Sequence, residues 1–344
     1  MPAVRAIDIH IHLAGAGAPL DPSASGAPRA HDPSGADCYF HPRRLKALGF
    51  RLLARSLGAP ARELKADLTT VLREILLGLL REESSLEKGV VLAMDWARDG
   101  KGEPLPDLTD FHVPNDYVLG LARACPKVLA GVSIHPFRPD AVEELNRCAL
   151  AGAALVKWLP TAQNFSPADA RALPFLREMA RLGMPLLSHT GSEGATRNFN
   201  KAWNDPRLLR PALEAGVTVV AAHCGLRSFF LDRDWLKEWA AMLPDYPHLY
   251  GDTASLFGLR ARRFLKVLDR RDVIDRLVHG SDWPVPASPW WFMGAIPLAR
   301  IRELARIENP LERDLETKRA LGLPDAVFTR ARGILRWPGR TLGH

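Results

Sequence analysis

His10 and His12 flank Ile11 in the run DIHIH (8–12). The two-residue period of an extended strand turns both imidazoles to the same side, so the pair can share one metal ion. Three further groups of matching chemistry end short apolar runs: His189 in PLLSHTG, His223 in VTVVAAHCG and Asp282 in RLVHGSDWP. Imidazole nitrogens plus one carboxylate satisfy a borderline-soft dication and leave a position for water. Water held by such an ion loses its proton near neutral pH, and a carboxylate beside it can take that proton and hand it on to a leaving group. Asp282 suits both halves of that task. Read singly, His189 and His223 are equally well explained as satisfied core histidines; the set as a whole would need four histidines and an aspartate to align by accident.

The elements that must position these groups are eight short apolar runs, at 4–13, 89–97, 128–136, 154–160, 185–191, 217–225, 248–255 and 276–284. Near-continuous rather than alternating hydrophobicity is the pattern of parallel strands covered on both faces. Helical patterns such as 174–183, 206–216 and 262–276 lie between them. A polar residue near the end of each run (Asp95, His135, Lys157, His189, His223, Asp252, Asp282) recurs at the spacing of successive strand–helix units. This predicts a distorted (β/α)8 TIM barrel, whose active groups gather at the C-terminal ends of the strands and whose eighth strand lies beside the first. An open doubly wound sheet is the alternative, but no GxGxxG follows the first strand. The chain reads as a single domain, 1–344, with an insertion at 14–88 over the active face and a helical tail at 305–344. Residues 14–37 read as a mobile loop rich in Gly, Ala, Pro and Ser. Beyond them, Leu64, Leu68, Val71, Leu72, Ile75, Leu76 and Leu79 form a helical stripe, in keeping with a lid or with a packing or dimerisation helix pair.

The ordered set DIHIH (8–12), LVKWLP (155–160), LLSHTG (186–191), AAHCG (221–225) and HGSDWP (279–284), with the tail at 309–336, resembles the amidohydrolase superfamily, in particular its amidohydrolase-2 branch of TIM-barrel metal-dependent hydrolases. The resemblance spans nearly the whole chain except 14–88. It implies His10, His12 and His189 as metal ligands, His223 as ligand or catalytic histidine, and Asp282 as ligand and general base. In part of that superfamily a lysine at the end of the fourth strand carries a carbamate that bridges two metals, which makes Lys157 a candidate ligand. Burial beside a dication would lower its pKa and favour reaction of the neutral amine with CO2. The other reading leaves Lys157 facing substrate or solvent beside a mononuclear site. The implied cofactor is a divalent metal, one or two ions, with Zn the first choice and Mn or Fe accommodated by the same donors.

Arg197, Lys201 and Arg227 follow His189 and His223 in loops, where each is either a substrate-carboxylate anchor or a solvated charge. Trp283, Trp290, Trp291 and Phe292 follow the last strand and suit either a pocket wall or ordinary packing. Hydrogen bonding to ligands or core burial accounts for His135, Asp252 and His279.

Across 344 residues, 46 Lys and Arg against 39 Asp and Glu give a net charge of +7, with no basic cluster along the expected active face. That disfavours a nucleic-acid partner. No run approaches a membrane span, the start lacks a signal-peptide pattern, and the four cysteines show no CxxC pair; the expectation is a cytoplasmic protein. The expected partner is a small organic substrate, with a homodimer as a candidate assembly. The leading functional reading is a metal-dependent hydrolase of an amide, lactone or ester. The alternatives are a non-oxidative decarboxylase of an unsaturated or aromatic carboxylic acid, and a non-catalytic metal- or ligand-binding barrel.

Overall fold

A computed structural model describes residues 5–14, 38–45, 57, 61–81 and 85–337. The expected loop at 14–37 and the last residues of the tail therefore lie outside the described residues, Ala14 apart. Among the described residues ten strands run in chain order: β1 (Ala6–His12), β2 (Tyr39–Phe40), β3 (Leu86–Leu92), β4 (Phe111–His112), β5 (Val128–Val132), β6 (Leu155–Trp158), β7 (Leu186–His189), β8 (Val219–Ala222), β9 (Leu249–Asp252) and β10 (Leu277–Val278). Eight of them form one parallel sheet in the order β1-β3-β5-β6-β7-β8-β9-β10. The sheet closes on itself where β1 meets the chain at and beyond β10: Ile9 N donates to His279 O (3.1 Å), Asp282 N to His10 O (2.8 Å) and His12 N to Trp283 O (2.7 Å). The fold is a distorted (β/α)8 barrel with a helical C-terminal tail.

Two apolar layers follow from the alternation of the strands. Ile7, Ile9, Val90, Leu92, Leu155, Leu187, Val220 and Val278 fill the interior of the barrel. A larger layer between the strands and the surrounding helices contains Ile11, Val91, Val156, Leu186 and Val219. The helix Leu68–Arg81 buries Leu68, Leu72, Leu76, Leu77 and Leu80 in that outer layer, as its stripe requires. In the tail, Ala331, Ile334 and Leu335 join the interior layer and cover its lower end. Asn309 starts the tail helix Pro310–Ala320 by accepting from Leu311 N and Glu312 N, and its amide donates to Leu79 O (2.9 Å). No described helix is long and apolar enough to cross a membrane.

One irregularity decides where the histidines point. Asp8 pairs with Gly89 but Ile11 with Val91, so β1 carries one more residue than β3 over this stretch. Such a bulge reverses the alternation. Ile7 and Ile9 face the interior below it, and His10 and His12 face the interior above it. The bulge takes His10 N out of the regular ladder, and Asp8 Oδ1 accepts from it (2.9 Å) while also accepting from Ser281 N (3.0 Å) across the closing seam.

Candidate metal centre

The upper end of the barrel brings the six expected residues together. His10 and His12 end β1, Lys157 lies in β6, His189 ends β7, His223 follows β8, and Asp282 lies just beyond β10. His10 Nε2 is 3.1 Å from His12 Nε2, 2.9 Å from Lys157 Nζ and 3.2 Å from Asp282 Oδ1. His12 Nε2 is 3.4 Å from the same carboxylate oxygen. The His189 and His223 rings lie 4.9 Å apart, and His223 lies 5.3 Å from His10. His10, His223 and Asp282 each offer a ligand atom within 4.8 Å of the others.

Asp252 is the hub beneath them. Its Oδ2 accepts from His10 Nδ1 (2.7 Å), and its Oδ1 accepts from His223 N (2.7 Å) and Ala254 N (3.1 Å). A proton on His10 Nδ1 leaves the Nε2 lone pair facing the cavity. His223 is set in the same way, with Nδ1 donating to Ala254 O (3.1 Å). The backbone is strained to hold this arrangement. His223, Cys224, Ser255 and Asp282 all have positive φ (63°, 54°, 59° and 67°) although none is glycine. Each such residue costs about 1 kcal/mol or more, and it persists only where its surroundings hold it.

Burial first, and then positively charged neighbours, keep His10 and His189 well below the ordinary histidine pKa; for His223 burial and Arg260 act in the same sense. Neutral imidazoles are what a metal requires. Burial raises the Asp282 carboxyl to about 7, against the opposing pull of Lys157 and Arg260. Burial lowers Lys157 to about 8, against the pull of Asp282, Asp252 and Glu193. The donor set fits a divalent ion. His189 Nε2 is buried without a hydrogen-bond partner, and the lone pair of His10 converges on His12 and a carboxylate oxygen at the spacing that ligands of one ion adopt.

Two residues at the site carried no signal strong enough to single them out in the sequence. Glu193, four residues after His189, lies with Oε2 3.6 Å from His189 Nε2, while its Oε1 accepts from Ala195 N and Thr196 N. Arg260 is 3% exposed and donates from Nη2 to Ser192 O (2.9 Å). It stands in a run with Arg262 and Arg263, and only its sharing of a helical face with Phe264 separates it from them. Of the loop cations that sequence reasoning raised, Lys201 forms an exposed pair with Asp232 (2.8 Å), and Arg227 donates to Phe230 O in its own loop (3.1 Å). Trp283 and Phe292 are buried, whereas Trp290 and Trp291 are exposed. His135 stands apart from the site, its ring held by Gln163 O (3.0 Å) and Phe137 N (3.1 Å).

Beside His12, the short strand β2 pairs antiparallel with β4. Phe111 meets the His12 ring edge-on at 6.5 Å, and Trp96 stacks on His112 at 4.3 Å. Asp110 ties this small sheet to its neighbours by accepting from Arg43 (3.1 Å), Arg44 (2.6 Å) and the backbone N of Arg197. The part of the insertion that includes Tyr39 and Phe40 thus returns to the rim of the site.

The family model described as amidohydrolase matches residues 91–323, more than half of the chain. No curated protein matches. Among solved structures, an uncharacterised TIM-barrel protein from Bordetella bronchiseptica is 17% identical, with a TM-score of 0.57 over 92% of this chain and 99% of that one. A putative 2-pyrone-4,6-dicarboxylic acid hydrolase from Pseudomonas putida is 18% identical, with a TM-score of 0.53 over 97% of this chain and 95% of that one. At these identities the likeness is one of fold.

Proposed function

The chain belongs to the amidohydrolase family, and from that premise we propose that it is a metal-dependent hydrolase cleaving a C–N or C–O bond of a small organic amide, lactone or ester. The observation that carries the reading is the convergence of His10, His12 and Asp282 within 3.4 Å, with the outer nitrogen of His10 committed to Asp252. In this reading His10, His12, His189 and Asp282 hold the ion, and His223 either completes the set or faces the substrate. A divalent ion bound there supplies Lewis acidity to a carbonyl and acidifies water. Asp282 takes a proton from water and returns it to the leaving nitrogen or oxygen, the acid–base role of a carboxylate at the reacting centre. The site is mononuclear in this proposal. Lys157 acts in this proposal as an amine facing the site, its Nζ 2.9 Å from His10 Nε2. Zinc is the proposed ion, with manganese or iron accommodated by the same donors.

Asp282 also favours one second reading. Having taken up a proton, the same carboxyl can donate it to carbon, which a non-oxidative decarboxylation requires. Mass balance on any substrate turned over separates the two: a hydrolase adds the elements of water to its product, and a decarboxylase releases CO2. Asp282→Asn is expected to lower kcat at least about a hundredfold with the fold retained, the usual loss when general acid–base catalysis is removed. Unchanged turnover in the Asp282→Asn variant would remove Asp282 from the proton path, and a protein that turns over no amide, lactone, ester or carboxylic acid would favour a non-catalytic barrel.

A further inference from the structure

The tail helix Pro310–Ala320 turns Leu311, Leu315 and Lys318 to one buried face, at an i, i+4, i+7 spacing where apolar residues are the rule. Leu311 and Leu315 pack into the layer outside the barrel. Lys318 is 1% exposed, and its ammonium is paired with Asp314 of the same helix. A buried ion pair adds little to stability compared with apolar side chains of similar size, since desolvation offsets the attraction. The ammonium does one thing that an apolar group cannot: Lys318 Nζ donates to Gly280 O (2.7 Å).

Gly280 opens the turn that carries Asp282. One residue earlier His279 N donates to Val327 O (3.0 Å), so the tail holds two consecutive residues of this segment. Across the seam, Asp8 Oδ1 accepts from Ser281 N (3.0 Å), and Asp282 N donates to His10 O (2.8 Å). Asp282 itself has φ of 67°, a conformation that a residue other than glycine keeps only where its surroundings hold it. In that conformation its Oδ1 lies 3.2 Å from His10 Nε2 and 3.4 Å from His12 Nε2.

We propose that Lys318 is a positioning residue: by fixing Gly280 O it holds the strained turn at Asp282, and so sets the Asp282 carboxylate against His10 and His12. It touches none of the reacting atoms and acts through Gly280. Asp314 balances the ammonium within the apolar layer, and the pair serves geometry rather than stability. The proposal rests on the metallohydrolase reading for what Asp282 does, whereas the hold on the turn needs no ion.

The test is the double substitution Asp314→Leu/Lys318→Met in the full-length protein, which removes both charges and keeps apolar bulk. It is read against Leu315→Ala, which loosens the same helix face without touching Gly280. Two quantities are measured on metal-free protein: its affinity for Zn2+, and hydrogen exchange of the Ser281 and Asp282 backbone amides. The double variant is expected to bind zinc about tenfold or more weakly, as when other groups that orient metal ligands are lost. Its Ser281 and Asp282 amides are expected to lose protection while the other barrel strands keep theirs. Leu315→Ala is expected to leave both quantities near their wild-type values. Unchanged zinc affinity or unchanged protection at the turn in the double variant, or equal losses in Leu315→Ala, would overturn the proposal. If the double variant does not fold, exchange in the wild type decides: the Ser281 and Asp282 amides are expected to open together with the helix Pro310–Ala320, and a turn that exchanges freely while the helix stays protected would overturn the proposal. Wild-type protein that takes up no zinc, with protection lost only in the double variant, rejects the metal centre and keeps the hold of Lys318 on the turn.

Discussion

Asp252 shows how a residue outside the ligand set can govern it. Its two oxygens fix the tautomer of His10 and the strained backbone of His223 together, so one substitution reaches both. Asp252→Asn is expected to weaken metal binding about 10–100-fold, the usual loss when the group orienting a ligating imidazole is changed, with the chain still folded. Titration of metal into apo protein checks this, and an unaltered affinity would remove Asp252 from the account. His135 provides a pH test away from the site. Burial lowers its pKa to about 4, against the opposing pull of Asp95. The unfolded chain binds a proton below about 6.5 while the folded chain does not until about 4. Its contribution to stability is therefore intact above pH 6.5 and is lost as the pH falls through that interval, about 2 kcal/mol by pH 5. His135→Gln is expected to flatten the fall in unfolding free energy between pH 7 and pH 5 by about that amount; parallel profiles for the two proteins would contradict the assignment.

At the scale of elements, the closing seam between β1 and β10 is where the fold and the site are the same problem. The strands there share only a few ladder bonds, and Asp8 supplies acceptors for His10 N and Ser281 N that regular pairing does not. Lys318 of the tail helix adds a hydrogen bond to Gly280 O (2.7 Å). Gly280 itself leaves no room: a Cβ there would come within 2.8 Å of His10 Cβ and 3.4 Å of Ala254 Cβ. Gly280→Ala is thus expected to shift His10 off its line to Asp282, destabilising the protein by about 1–3 kcal/mol, as overpacking does, and lowering metal affinity at the same time. Denaturant unfolding read beside metal titration decides it, since a variant that loses stability yet binds metal normally would separate the seam from the site.

Taken as a whole molecule, the barrel was legible because its evidence is periodic. Eight apolar runs, each ending in a polar group, specify parallel strands, and closure then brings residues as distant as His10 and Asp282 side by side. The motif residues His10, His12, Lys157, His189, His223 and Asp282 stood out for the same reason: they end strands. The β1 bulge did not, because the run AIDIHIH alternates without a break, so a one-residue register change leaves no mark on it. Arg260 and Glu193 were hidden in loops and short helices, where a buried charge looks like any solvated one until tertiary contacts are known. The pairing of Tyr39–Phe40 with Phe111–His112 joins two connections far apart in sequence and too short to show alternation.

Metal content per chain, by elemental analysis of protein purified without added metal or chelator, bears most directly on the central claim that these imidazoles and Asp282 hold one divalent ion. About one equivalent in the wild type, lost in His10→Ala/His12→Ala, is the expected result. Metal absent even after reconstitution, or retained in the double variant, would contradict the claim; two equivalents would overturn the mononuclear site and return Lys157 to the ligand set.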